Sequence, residues 1–115
     1  MHITYAMVRD EIPAIIETRG ENFVYENHPG SGGTCMYAWE GKPDCLIGCY
    51  LTDLGFPIEA FAEFEGKSID DVFSGEFMEN NNFTAEPEAI MAMAKLQHLQ
   101  DNGYSWGDAY AGTFE

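Results

Sequence analysis

Cys45 and Cys49 stand four residues apart, the spacing of neighbours on one face of a helix. With Cys35 upstream and His28 or His98 elsewhere, a four-ligand zinc site can be drawn on paper. Structural zinc wants four soft or imidazole ligands, usually offered in tight pairs. This chain offers one pair, on a helix. The plainer reading, three free thiols acting as small buried hydrophobes, carries more weight. A redox role for the same pair is weaker still. Successive turns of one helix aim two thiols poorly at each other, and the C-x-x-C spacing that tunes thiol acidity is missing. The sequence therefore predicts neither a metal ion nor a cofactor.

Gly30-Ser31-Gly32-Gly33-Thr34 invites comparison with a phosphate-binding loop. Such a loop needs a lysine after its last glycine and a helix to follow. Here Thr34-Cys35 follows, and then a strand pattern, so the run reads as a connector. His2, His28 and His98 form no H-x-x-x-H pair and no triad pattern, and no acidic calcium-binding loop occurs. Carboxylates are so abundant that no one pair stands out as an acid/base couple. No catalytic residue is assigned, and an enzyme is not expected.

The charge map is the better clue. Residues 57–88 hold nine acids (Glu59, Glu63, Glu65, Asp70, Asp71, Glu76, Glu79, Glu86, Glu88) against one base, Lys67, a net −8 of the chain's −15. The same segment holds five of the eight phenylalanines, Phe61, Phe64, Phe73, Phe77 and Phe83. Helical phase sends Phe61, Phe64 and Phe73 to the core and leaves Phe77 and Phe83 as partly exposed. An acidic surface with aromatic anchors suits a basic cleft, with carboxylates standing where phosphates would sit. The plainer reading is a solvated acidic face over an ordinary core. The binding reading is preferred for function because no other feature suggests an activity. Its expected residues are Glu59, Glu63, Glu65, Asp70, Asp71, Glu76, Phe77 and Glu79.

Several elements must position these groups. Ile3, Tyr5 and Met7 alternate with Thr4 and Ala6, which predicts a strand over the first seven or eight residues. Asp10 is the expected cap of a short helix, with Pro13 in its first turn, Val8, Ile12, Ile15 and Ile16 on one face, and Gly20 at its end. Residues 26–34 read as a loop. Cys35, Tyr37 and Trp39 alternate as a second strand, and residues 40–43 as a turn. Asp44 is the expected cap of a helix running to about Leu54. Its apolar face is Leu46, Ile47, Tyr50, Leu51 and Leu54, and its small face (Cys45, Gly48, Cys49, Thr52) allows a second element to approach closely. Ile58, Phe61, Ala62 and Phe64 predict one short helix, and Ser68 caps another with Ile69, Val72 and Phe73 inward. Residues 75–83 lack a period and read as a loop. Thr84 is the expected cap of a long helix to Asp101, with Ala89, Ala92, Met93, Leu96 and Leu99 facing the core. Ser105 with Asp108 opens a last short helix. The sum is an α+β fold, a helix-dominated single domain with a small two-strand element.

The chain has 115 residues, the length of one domain, and is 45% hydrophobic, too rich for disorder. Twenty acids against five scattered bases argue against direct nucleic-acid or anionic-lipid binding, which needs a basic patch. No run reaches the roughly 18 apolar residues of a membrane span. Met1–Arg9 lacks the pattern of a secretory signal, and three cysteines with no such signal suit a reducing cytoplasm.

Four segments carry a resemblance: Phe23-Val24-Tyr25; Gly33-Thr34-Cys35-Met36-Tyr37; Cys45-Leu46-Ile47-Gly48 with Leu54-Gly55; and Gln100-Asp101-Asn102-Gly103 leading to Trp106-Gly107. Together they resemble small acidic proteins of actinobacteria and their bacteriophages, over residues 23 to about 110. The resemblance implies an origin in a bacterial host cell and no functional residues. The expected function is that of a non-enzymatic acidic binding protein engaging a basic surface of a host protein, as a nucleic-acid mimic or inhibitor. It would act as a monomer or weak homodimer. The alternatives are an assembly module pairing through Tyr104, Trp106, Tyr110 and Phe114, and, last, a small carboxylate enzyme.

Overall fold

The computed structural model describes residues 1–26 and 36–115. In chain order these form β1 (His2–Ile3), α1 (Tyr5–Glu17), β2 (Ala38–Trp39), β3 (Lys42–Pro43), α2 (Leu46–Asp53), a 3₁₀ helix (Ile58–Glu63), α3 (Ile69–Val72), α4 (Gly75–Asn80), β4 (Thr84–Ala85), α5 (Pro87–Asp101) and α6 (Trp106–Phe114). The fold is α+β and helix-dominated. The two strands read from the sequence each have a different partner. β1 runs parallel to β4, pairing His2 with Thr84 and Ile3 with Ala85, and β2 is antiparallel to β3. The expected turn over residues 40–43 narrows to Glu40 and Gly41. Both have positive φ, as a two-residue hairpin requires, and Lys42–Pro43 is strand. The 26–34 loop and Cys35 lie almost wholly outside the described residues.

Thr4 ends β1 and starts α1. Its hydroxyl accepts the Met7 N–H at 3.1 Å, so the helix nucleates at Tyr5 instead of after Asp10. The expected strand to residue 8 is therefore corrected, as is the Asp10 cap: Asp10 lies on the exposed side of α1, paired with Arg9. Pro13 falls well inside the helix, not in its first turn. It has no N–H for the Arg9 carbonyl, and the Tyr110 hydroxyl of α6 donates to that oxygen instead, at 2.7 Å.

α5 packs against α1, α2, α3 and α6. Ala89, Ala92, Met93 and Leu96 are buried on it, as the periodicity predicts, while Leu99 is only half-buried. Thr84 does not cap this helix. It belongs to β4, and Glu86 is the cap residue, with Pro87 in the first turn. α2 buries Leu46, Ile47, Tyr50 and Leu51. Its cap is Cys45, one residue beyond the expected Asp44. The small face works as expected at Gly48, where a Cβ would overlap the Tyr37 carbonyl.

Gln97 and Gln100 are buried on α5 and were not expected there. Gln100 Oε1 accepts the Leu46 N–H at the start of α2 and the Trp106 indole N–H, both at 3.0 Å. Gln97 Oε1 accepts the Ile69 N–H at the start of α3 at 2.8 Å, and its Nε2 donates to the Tyr37 hydroxyl at 2.7 Å. Glu86 does the same for α1, accepting the Tyr5 N–H at 2.7 Å. The amides left open at three helix N-termini are thus filled by side chains from one helix and its cap.

Candidate functional site

The acidic segment is laid on this frame in short pieces. Ile58–Glu63 form the 3₁₀ helix, whose period of three turns Ile58, Phe61 and, just past its end, Phe64 to one side. Ala62, expected in the core, is exposed for that reason. Residues 75–80, expected as loop, are α4: the Ser74 hydroxyl accepts the Phe77 N–H at 3.2 Å and starts a helix that the irregular pattern concealed. The Asn81 side chain then donates to the Phe77 carbonyl at 2.8 Å, and Asn82, with φ +58°, turns the chain back. That turn sends Phe83 inward. Phe77 is half-buried, as expected, whereas Phe83 is buried, which corrects the expectation that it is partly exposed. Phe77 stands against Phe64, Phe73 and Phe83 at ring-centre distances of 5.4, 5.9 and 6.0 Å.

Of the eight expected site residues, Glu59, Glu63, Asp70, Asp71, Glu76 and Glu79 are exposed. None of the six forms an ion pair with a described residue; among the described residues the pair present is Arg9–Asp10. Asp70 and Asp71 both accept from the Ser68 hydroxyl. Glu65 is different. It is half-buried, and its carboxylate accepts the Tyr37 N–H at 2.8 Å. Burial pushes its carboxyl above the ordinary carboxylate range, with Asp44 adding to the effect and the Tyr37 N–H opposing it.

The exposed acids do not share one cavity. Glu63 lines a groove of about 250 Å³ between the 3₁₀ helix and α4. Pro57, Ala60 and Glu63, three residues apart, form one wall. Phe77, Asn81 and Asn82 form the other, and Phe56, Phe64 and Phe83 complete the lining together with Gly55 and Met1. Asp70 instead lines a wider and more open depression of about 790 Å³ beside α5, with Glu88, Lys95 and His98. There a cation already stands among the acids. The structure thus joins Glu63 with Phe77 and places Asp70 elsewhere. The groove was not foreseen, because it depends on the unexpected α4.

The C-terminal pairing surface is corrected in one respect. Trp106 is fully buried, donating to Gln100 and lying edge-on to Phe23 at 4.8 Å, while Tyr110 and Phe114 are half-buried and Tyr104 is exposed. Of the zinc-ligand candidates, Cys45 is buried as a helix cap, Cys49 is half-buried with its thiol pushed up by burial, and His98 is exposed. Cys35 and His28 lie outside the described residues. Among the described residues no group of three or more His, Cys, Asp or Glu side chains could hold a metal ion. No described helix is long and apolar enough to cross a membrane. No protein-family model, curated protein or solved structure matches the chain.

Proposed function

We propose that this chain is a non-enzymatic acidic binding protein that engages a basic surface on another protein, competing there with nucleic acid. The observation that carries the reading is the set of six exposed carboxylates, Glu59, Glu63, Asp70, Asp71, Glu76 and Glu79, none held in an ion pair with a described residue. Carboxylates left unneutralised on one stretch of chain project a negative potential that steers a cationic partner and repels anionic ones. The partner is a host protein in a bacterial cytoplasm, the setting that the resemblance to actinobacterial and phage proteins implies. The protein itself acts as a monomer or weak homodimer.

The test is retention of a partner from a bacterial lysate at about 50 mM and about 500 mM salt, since screening acts over a Debye length of roughly 10 Å at 0.1 M. A variant carrying Glu59→Gln, Glu63→Gln, Asp70→Asn and Asp71→Asn removes four charges at exposed sites, where stability changes by only about 0.5 kcal/mol per site. The partner is expected to be lost at high salt and retained poorly by the variant. A partner held equally well in all four combinations refutes the reading.

A further inference from the structure

We infer that the groove between the 3₁₀ helix and α4 takes one arginine side chain from a basic segment of the partner protein; the inference rests on the function proposed above and adds the residue that the site reads. The size sets the occupant first. About 250 Å³ lies below the roughly 300–1,000 Å³ of small-molecule sites, which leaves room for one long side chain and not for a cofactor or a docked helix.

The lining sets the chemistry. Four phenylalanines line the groove, and Phe77 and Phe56 are each only half-buried, so ring surface remains open to an incoming group. Glu63 stands on the wall with no ion-pair partner among the described residues. The Asn81 amide nitrogen is committed to the Phe77 carbonyl, which leaves its side-chain oxygen to accept. A guanidinium suits all three. Its flat, weakly hydrated face stacks on a ring, while its forked N–H groups reach a carboxylate and an amide oxygen. A lysine ammonium, strongly hydrated and without a flat face, uses the carboxylate but gains little from the rings. Phosphate and carboxylate ligands are repelled by Glu63. The fold already holds one of its own arginines in this manner. The Arg19 guanidinium lies over the Phe23 and Trp106 rings, 5.3 and 5.1 Å from their centres, and donates to the Asp44 and Pro43 carbonyl oxygens.

The experiment is an NMR titration of the isotopically labelled full chain with two blocked heptapeptides of glycine and lysine. They differ only at the central residue, arginine in one and lysine in the other. The arginine peptide is expected to shift the amides of Glu63, Phe77, Asn81 and Asn82 together, and to bind about five- to tenfold more tightly than the lysine peptide. Ala60→Leu fills the groove from a half-exposed wall position and should abolish the difference between the peptides. Glu63→Gln should weaken the arginine peptide more than the lysine peptide. If both peptides shift acidic amides across the surface to the same degree, and Ala60→Leu changes nothing, the arginine site is overturned and the acidic binding reading stands. If neither peptide shifts any amide at millimolar concentration in low salt, both are overturned.

Discussion

Replacing Gln100 by methionine removes the acceptor that joins three elements, along with the Nε2 donation to the part-buried Asp101 at 3.1 Å. The amide oxygen accepts from Leu46 N–H and from the Trp106 indole N–H, each at 3.0 Å, and both donor residues are fully buried. Methionine matches the length and flexibility of glutamine but provides no comparable acceptor, so both donors lose their partner in a place water does not reach. An orphaned buried donor costs about 1–3 kcal/mol, giving a gross loss of about 2–6 kcal/mol. The thioether is easier to bury than the amide and offsets about 1 kcal/mol of that. The net expectation is a loss of about 1–5 kcal/mol. For a domain of this size it lowers Tm by roughly 4–20 °C. Urea denaturation followed by far-UV circular dichroism measures the free energy directly. A double-mutant cycle then divides it: with Trp106→Phe in the background one of the two donors is gone, and Gln100→Met should cost about 1–3 kcal/mol less than in the parent. A Gln100→Met protein within about 0.5 kcal/mol of the parent, or an equal cost in both backgrounds, refutes the assignment of Gln100 as a shared cap.

Two further measurements test how particular polar groups are held. Burial raises the Glu65 carboxyl above its ordinary 4.5 in the folded protein, so the folded state keeps this proton to higher pH than the unfolded chain. Its stabilising share is present below about 4.5 and is lost as the pH climbs through the raised value. Glu65→Gln keeps an acceptor for the Tyr37 N–H and removes the titration, so its Tm should fall less than the parent's between about pH 4 and about pH 7; parallel profiles would contradict this. Tyr110→Phe removes the hydroxyl that serves the Arg9 carbonyl and should cost about 0.5–1.5 kcal/mol. In a Pro13→Ala background the restored amide can take that carbonyl itself, so the same substitution should become nearly neutral, and an undiminished cost there would sink the explanation.

Periodicity made the helical cores legible. Val8, Ile12, Ile15 and Ile16 on α1, the apolar face of α2, and Ile69, Val72 and Phe73 in and after α3 are buried as their spacing predicts. These are contacts that repeat along one element, and a repeat is visible in one dimension. Element starts are less legible: Ser68 and Ser105 stand at the starts of α3 and α6 as expected, but more than one plausible cap precedes α1, α2 and α5. Thr4 and Asp10 both offer an oxygen ahead of an apolar run, and only the tertiary position of β1 against β4 selects Thr4. For α4 the cap Ser74 was in plain view. The helix has just six residues and no buried residue of its own, so no apolar stripe marked it. Missing α4 also hid the groove, since Phe77 and Asn81 share a wall only when four residues make one helical turn.

The least legible residues were the ones that hold the acidic segment in place. Helices as short as α2, α3 and α4 are not stable by propensity, because nucleation costs more than a few internal bonds return. α2 and α3 are completed by Gln100 and Gln97, which lie 54 and 28 residues away along the chain, and no local pattern announces a cap at that distance. The arrangement bears on function. Gln97 takes the Ile69 N–H of α3 from the inside, while Asp70 and Asp71 are exposed and both accept from the Ser68 hydroxyl. Two acids of the segment are withdrawn by comparable work, Glu65 on the Tyr37 N–H and Glu86 on the Tyr5 N–H. The charge map therefore counts two more free carboxylates than the folded surface offers. Their loss weakens the case for a diffuse acidic face. It strengthens the case for the groove, where Glu63 combines negative charge with open aromatic surface and forms no ion pair with a described residue.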